Sequence, residues 1–195
     1  KNDGIRLKEA QDKQFRQMNR INDFHARLMK IISRREYLER ADREYASFSH
    51  TTKTILESRS LFGQHILGAV GELIRVPPKY TAAAEVALGS SVSYIVTDTS
   101  RSAGDVITWL KKNNLGRTTF YPLESMRPRG NDGNERKACS EKGIHGIASE
   151  LFFCDEEYGS LIDSILGKTL IAENLDVART VSAKYNYRLR LVTLD

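Results

Sequence analysis

The sequence predicts a mixed α/β fold made of two sibling lobes with mixed sheets, preceded by a long coiled-coil helix. Internal duplication is the first observation. Ile66-Leu67-Gly68-Ala69-Val70-Gly71-Glu72-Leu73 returns 78 positions later as Ile144-His145-Gly146-Ile147-Ala148-Ser149-Glu150-Leu151. Tyr80, Leu88 and Gly89 then meet Tyr158, Leu166 and Gly167, so that seven of 24 positions are identical. Further along the offset falls to 75 (Ala103 and Val106 with Ala178 and Val181) and to 71 (Arg117 and Leu123 with Arg188 and Leu194), as short deletions in turns would produce. Two supersecondary blocks of this length predict a pseudo-twofold pair sharing one core. The second observation is that strand and helix patterns alternate in both copies, and the third is a heptad run ahead of them.

The arm comes first in the chain. Residues 5–60 contain no Pro and no Gly and are dense in charged and Ala residues, which predicts one long helix. Phe24, Ile31, Leu38 and Tyr45 recur every seven residues, with Ile21 and Leu28 at the second seam position before Arg35, Asp42 and Ser49 take it over. So narrow a seam fits a two-stranded coiled coil whose partner strand is not in this sequence.

In the first copy the pattern reads as strand 69–76, stopped by Pro77-Pro78, which pre-set a helix to Leu88 with Gly89 as a left-handed cap. Strand 92–97, a helix from about Ser100 to Asn113 capped by Gly116, and strand 118–121 closed by Pro122 follow. Residues 124–142, rich in charge and broken by Pro128, Gly130 and Gly133, read as a solvated linker. The second copy reads as strand 147–154, helix 156–166 with a Gly167 cap, strand 168–172, helix 175–185 and strand 188–194. The boundaries are therefore an arm over 1–60, lobes over 61–123 and 143–195, and a linker over 124–142.

Charge is unevenly placed. Residues 1–60 carry 14 Lys+Arg against 9 Asp+Glu, whereas 61–195 carry 16 of each, so the net +5 sits in the arm. Within the remainder, 101–142 is basic and 143–195 acidic, which places any anion-binding face in the first half. Cys139 and Cys154, without a signal peptide or an Asn-x-Ser/Thr acceptor, read as reduced cytosolic thiols. No apolar run approaches the roughly 20 residues of a membrane span. Lys1 in place of Met and the end at Asp195 suggest a piece of a longer chain.

Catalytic patterns are missing. Gly167-Lys168-Thr169 resembles the tail of a phosphate loop, but Ile162 stands where the first Gly is required. The sequence has no Gly-x-Ser-x-Gly, His-Glu-x-x-His or Cys-x-x-Cys. Asp155-Glu156-Glu157 reads as complement to a helix dipole in preference to a metal cluster. His65 and His145 lie near the starts of the two copies, where they could approach each other. Binding is better served: Lys111, Lys112 and Arg117 put three cations around a helix C-terminus and the next strand. Phosphate contact and helix-dipole complementation both account for them. Arg127, Arg129, Arg136 and Lys137 could add contacts, and Phe120 and Tyr121 are the only aromatics nearby for stacking.

Gly68-Ala69-Val70-Gly71-Glu72-Leu73-Ile74, the Ala87-Leu88-Gly89 cap, Gly116-Arg117-Thr118-Thr119-Phe120-Tyr121-Pro122-Leu123 and Arg190-Leu191-Val192-Thr193-Leu194-Asp195 occur here in that order. Together with the duplication and the arm, they resemble the hinge domain of bacterial SMC (structural maintenance of chromosomes) proteins over about 61–195. The resemblance implies an SMC-hinge-like pseudo-twofold pair of subdomains whose structural glycines are Gly68, Gly89, Gly116, Gly146 and Gly167. It implies a module with no catalysis of its own that joins two copies of one chain at the tips of their coiled coils. It also implies cytoplasmic, nucleoid-associated work in chromosome condensation and segregation, with DNA contacted through Lys111, Lys112 and Arg117. ATP and Mg, and kleisin-type subunits, would bind at the heads of the parent protein; the hinge itself would hold no cofactor or metal. In the family the second half continues past Val-Thr-Leu-Asp into a glycine-rich dimer contact, so pairing is expected to be weakened in this chain. The competing reading is a ligand-sensing α/β regulatory domain on a signalling coiled coil.

Overall fold

A computed structural model of the chain describes residues 17–35, 48–128 and 133–195. Two compact units divide it, 1–47 and 48–195. In the first, residues 17–35 form a helix, α1. Its seam residues Ile21, Phe24, Leu28 and Ile31 are all exposed, as is every other residue of this helix. Leu38, Asp42 and Tyr45 lie outside the described residues.

The expected single helix to residue 60 does not hold. Ser49 is extended, and its hydroxyl accepts the Thr52 N–H at 3.3 Å, capping a new helix, α2 (His50–Glu57). Ile55 and Thr52 are fully buried and Leu56 nearly so, which makes α2 part of the globular unit. The unit accordingly begins at Phe48 and not at 61.

From there the duplication is visible strand by strand. The first copy runs β1 (Ile66–Ala69), α3 (Val70–Leu73), α4 (Thr81–Leu88), β2 (Ile95–Thr97), α5 (Ser100–Lys112) and β3 (Phe120–Pro122). After α6 (Asn134–Ala138), the second runs β4 (Ile144–Ile147), α7 (Ala148–Leu151), α8 (Gly159–Leu166), β5 (Thr169–Ala172), α9 (Leu175–Lys184) and β6 (Arg190–Thr193). Each copy makes a three-stranded sheet, ordered β1-β2-β3 and β4-β5-β6. In both, the first pair is antiparallel and the second parallel. Even the irregularity repeats, at Ile66/Gly68 and at Ile144/Gly146.

The copies meet at equivalent residues. Arg75 and Phe153, 78 apart, exchange backbone hydrogen bonds of 2.7 and 2.8 Å in an isolated antiparallel bridge, which puts them on the pseudo-twofold axis. Behind the bridge one core crosses between lobes, with Val70, Tyr80, Ala84 and Leu88 packed together with Phe152, Leu161, Ile162 and Leu166. A smaller cluster of Ala138, Ile147, Leu170 and Val181 belongs to the second lobe.

Several expected boundaries shift. The strands predicted over 69–76 and 147–154 lie earlier, as β1 and β4, and share only Ala69 and Ile147 with those ranges; the predicted ranges instead open on single helical turns, α3 and α7. In the first copy the Glu72 carboxylate accepts the Ala69 N–H at 2.8 Å, satisfying a donor that a strand would have paired. The 124–142 stretch is not wholly a solvated linker, because α6 buries Ala138 completely and Glu135 almost so. Gly167 follows α8 with φ −60, ordinary right-handed backbone, and is not the left-handed cap expected of it; Gly89 has a positive φ, +51, but with ψ −131 it too departs from the left-handed helical cap.

Candidate nucleic-acid interface

Lys111 and Lys112 occupy the last turn of α5. That helix starts where the Thr99 hydroxyl accepts the Ser102 N–H at 3.2 Å, and it buries Ala103, Val106 and Leu110. Its end is a double cap: the Leu115 N–H bonds the Leu110 carbonyl at 3.1 Å and the Asn114 N–H bonds the Lys111 carbonyl at 3.3 Å, with Asn114 left-handed at φ 53. The cap is therefore Asn114 and not Gly116. The second copy repeats it, with Asn186 at φ 54 and bonds from Tyr187 to Ser182 (2.8 Å) and from Asn186 to Ala183 (3.1 Å). The matches of Lys112 and Asn114 with Lys184 and Asn186, at offset 72, were the sequence signal for it.

The double cap turns the chain so that residues 116–118 run alongside the helix end. Lys111 and Arg117 then line one open groove of about 680 Å³ with Ile107, Leu110, Asn114, Gly116, Thr118 and Phe120. Lys112 is exposed beside it and does not line it. None of the lining residues is acidic, so the two cations act on an apolar floor with no carboxylate against them. No hydrogen bond or ion pair of the Lys111, Lys112 or Arg117 side chains is present among the described residues. Cations of this kind on an apolar trough suit a polyanion with hydrophobic bases.

Other basic residues are engaged inside the fold. The Arg127 guanidinium donates to the Glu124 and Met126 carbonyls at 2.8 and 2.9 Å, and Arg136 pairs with Glu150. Lys137 is exposed, and Arg129 lies outside the described residues. The histidines take separate partners: His65 Nδ1 is 2.7 Å from Asp98 Oδ2, and His145 Nδ1 is 3.3 Å from the hydroxyl of buried Tyr80. Hydrogen bonding from Ser102, and next from His65, holds the Asp98 carboxyl at about 2. Asp155 pairs with Arg75 at 2.6 Å, and among the described residues no group of three or more His, Cys, Asp or Glu could hold a metal ion. Sequence reasoning missed Thr51 and Thr52 of α2, which reach the same loop from below.

Comparison with known proteins agrees with the fold. Residues 63–182 match the family model for the SMC proteins flexible hinge domain. The chain is 37% identical over 180 residues, 92% of its length, to the chromosome partition protein Smc of Lactiplantibacillus plantarum, and 37% identical over 164 residues to that of Bacillus subtilis. It spans 15% and 14% of the lengths of those relatives. Among solved structures, the Geobacillus stearothermophilus SMC hinge domain, crystallised as an asymmetric dimer, superimposes with a TM-score of 0.75 at 38% identity, covering 86% of this chain and 66% of that one. The Pyrococcus furiosus SMC hinge domain gives 0.62 at 28% identity, covering 79% and 77%. With duplicated lobes, a shared core and a family match that reaches into both lobes, the chain belongs to the SMC flexible hinge domain family.

Proposed function

We propose that this chain is the dimerisation hinge of a chromosome-partition SMC protein and that its 111–120 groove binds DNA without reading sequence. The observation that carries the first part is the pseudo-twofold pair of lobes joined at Arg75 and Phe153. Each sheet keeps its two outer strands without a further strand among the described residues. Such edges call for pairing, and a two-lobed chain meeting its own copy closes an isologous ring. The Geobacillus hinge was crystallised as a dimer, though an asymmetric one, which supports self-association here. On this reading ATP, Mg and kleisin-type subunits belong to the heads of the parent chain, which works on the nucleoid in the cytoplasm, and the hinge contributes no catalysis.

Sedimentation equilibrium of the parent SMC chain tests self-association: a dimer is expected, and a monomer across micromolar concentrations would overturn it. For the groove, the Lys111→Glu, Lys112→Glu double variant is expected to bind labelled oligo-dT at least about tenfold more weakly than the parent at low salt, because each lost phosphate contact removes counterion release. Equal affinity measured by fluorescence anisotropy would remove DNA binding from this site.

A further inference from the structure

Two consecutive threonines of α2 reach the loop that carries Arg117, Thr51 through the backbone before it and Thr52 through the side chain of Thr118 after it. Thr51 Oγ1 donates to the Leu115 carbonyl at 3.0 Å. The same oxygen stands 2.6 Å from where a Cβ on Gly116 would lie, and Gly116 has φ +88, so only glycine passes there without strain. Thr52 Oγ1, fully buried, donates to the Ser93 carbonyl at 2.6 Å, receives the Ser49 hydroxyl at 2.9 Å and lies 3.5 Å from Thr118 Oγ1. Leu115 is thus bonded and Thr118 touched from one helix, Gly116 passes close against it, and the single exposed residue in that stretch whose side chain is a cation is Arg117.

We infer that Thr51 is a positioning residue for the anion groove: its hydroxyl fixes the loop from which Arg117 faces Lys111, so that α2 is a working part of the binding site as well as of the core. A long guanidinium side chain gives up rotamer freedom when it meets a phosphate, and a fixed Cα limits how much more must be ordered. The inference rests on the reading that this groove binds DNA.

The test measures oligo-dT affinity against salt for the parent, Arg117→Ala, Thr51→Val, the double variant and Thr51→Ser. Thr51→Val is expected to weaken binding several-fold and to lower the slope of log K against log salt by about 0.7, one single-strand phosphate contact, as Arg117→Ala does. The double variant is expected to be no weaker than Arg117→Ala alone, and Thr51→Ser, which keeps the hydroxyl, to match the parent. Gly116→Ala, which pushes the Thr51 hydroxyl aside without deleting it, supplies a second variant with the same expected slope change. An unchanged slope in both variants, including one that accompanies a lower urea midpoint, or losses that add to that of Arg117→Ala, would overturn the role of Thr51 while leaving the groove in place. Parent-like binding by the Lys111→Glu, Lys112→Glu variant would instead overturn the groove, and this role with it.

Discussion

Gly89 and Gly167 are identical residues at equivalent positions, yet only Gly89 has a positive φ, at +51. The difference lies in the connection each makes to the next strand. After Gly89 a 3-10 turn, Gly89–Ser93, separates α4 from β2, whereas β5 starts at Thr169, close behind the end of α8 at Leu166. The offset between copies falls from 78 to 75 across this connection, so the deletion inferred from sequence is located here and the shorter path needs no reversal of the backbone. A glycine in sequence marks where a positive φ is allowed; the length of the connection decides whether one is used. At the same scale, Asp98 makes an acid-sensitive point at the edge of the first lobe. Its folded carboxyl sits at about 2, below the ordinary 3.8, because Ser102 and His65 favour the ionised form. The unfolded chain takes up this proton first, so the stabilisation is complete above about pH 4 and is lost as pH falls towards 2. Asp98→Asn should therefore flatten the decline of the urea midpoint between pH 4 and 2. A decline parallel to that of the parent would assign the acid sensitivity to other carboxylates. The pair is partly exposed, and the expected effect is correspondingly small.

At the scale of elements, helices α4, α5, α8 and α9 and the central strands β2 and β5 were legible, since apolar spacing and Pro or Gly punctuation mark them without reference to the rest of the fold. What escaped were elements defined by long-range partners. The stretch free of Pro and Gly runs on through α2, but burial of Ile55 and the reach of Thr52 to Ser93 place that helix in the hinge, and neither contact has a local signature. For the same reason Lys111 and Arg117 could be nominated while Thr51, 64 residues from its partner Leu115, could not. The single turns α3 and α7 were misread in the same way in both copies, because their apolar runs are alike and too short to show a helical period. Their shared glutamate has meanwhile taken two roles. Glu72 accepts the Ala69 N–H at 2.8 Å, whereas Glu150 pairs with Arg136 at the surface. Glu72→Ala is expected to cost about 1 kcal/mol, as loss of a helix N-terminal acceptor does. Glu150→Ala should cost less, about 0–1 kcal/mol, as an exposed ion pair does. Urea titrations of the two variants check this, and equal losses would mean that the duplicated carboxylates still serve one purpose.

For the whole molecule, duplication was plain in the sequence but the junction was not, since nothing local in Arg75 or Phe153 announces a bridge across 78 residues. The junction matters because it changes what the lobes are. Two lobes joined only by a linker would unfold separately; here Tyr80, Ala84 and Leu88 of one share a core with Phe152, Leu161 and Leu166 of the other. The sheets themselves take part in it, through Val96 of β2, Ile171 of β5 and Val192 of β6. The hinge should therefore unfold as one cooperative unit, and the sequence supplies a reporter for it. Its single tryptophan, Trp109, sits on α5 in the first lobe, half-buried and edge-on to Phe62 at 5.4 Å. Leu166 is fully buried in the second lobe. Leu166→Ala leaves a cavity expected to cost about 2–5 kcal/mol. If the core is shared, the urea midpoint followed by Trp109 fluorescence moves down as far as the one followed by far-UV circular dichroism, and the two curves remain superimposable. A tryptophan midpoint left at the parent value while the dichroism signal splits into two steps would mean that the lobes stand independently and that their contact contributes little to stability.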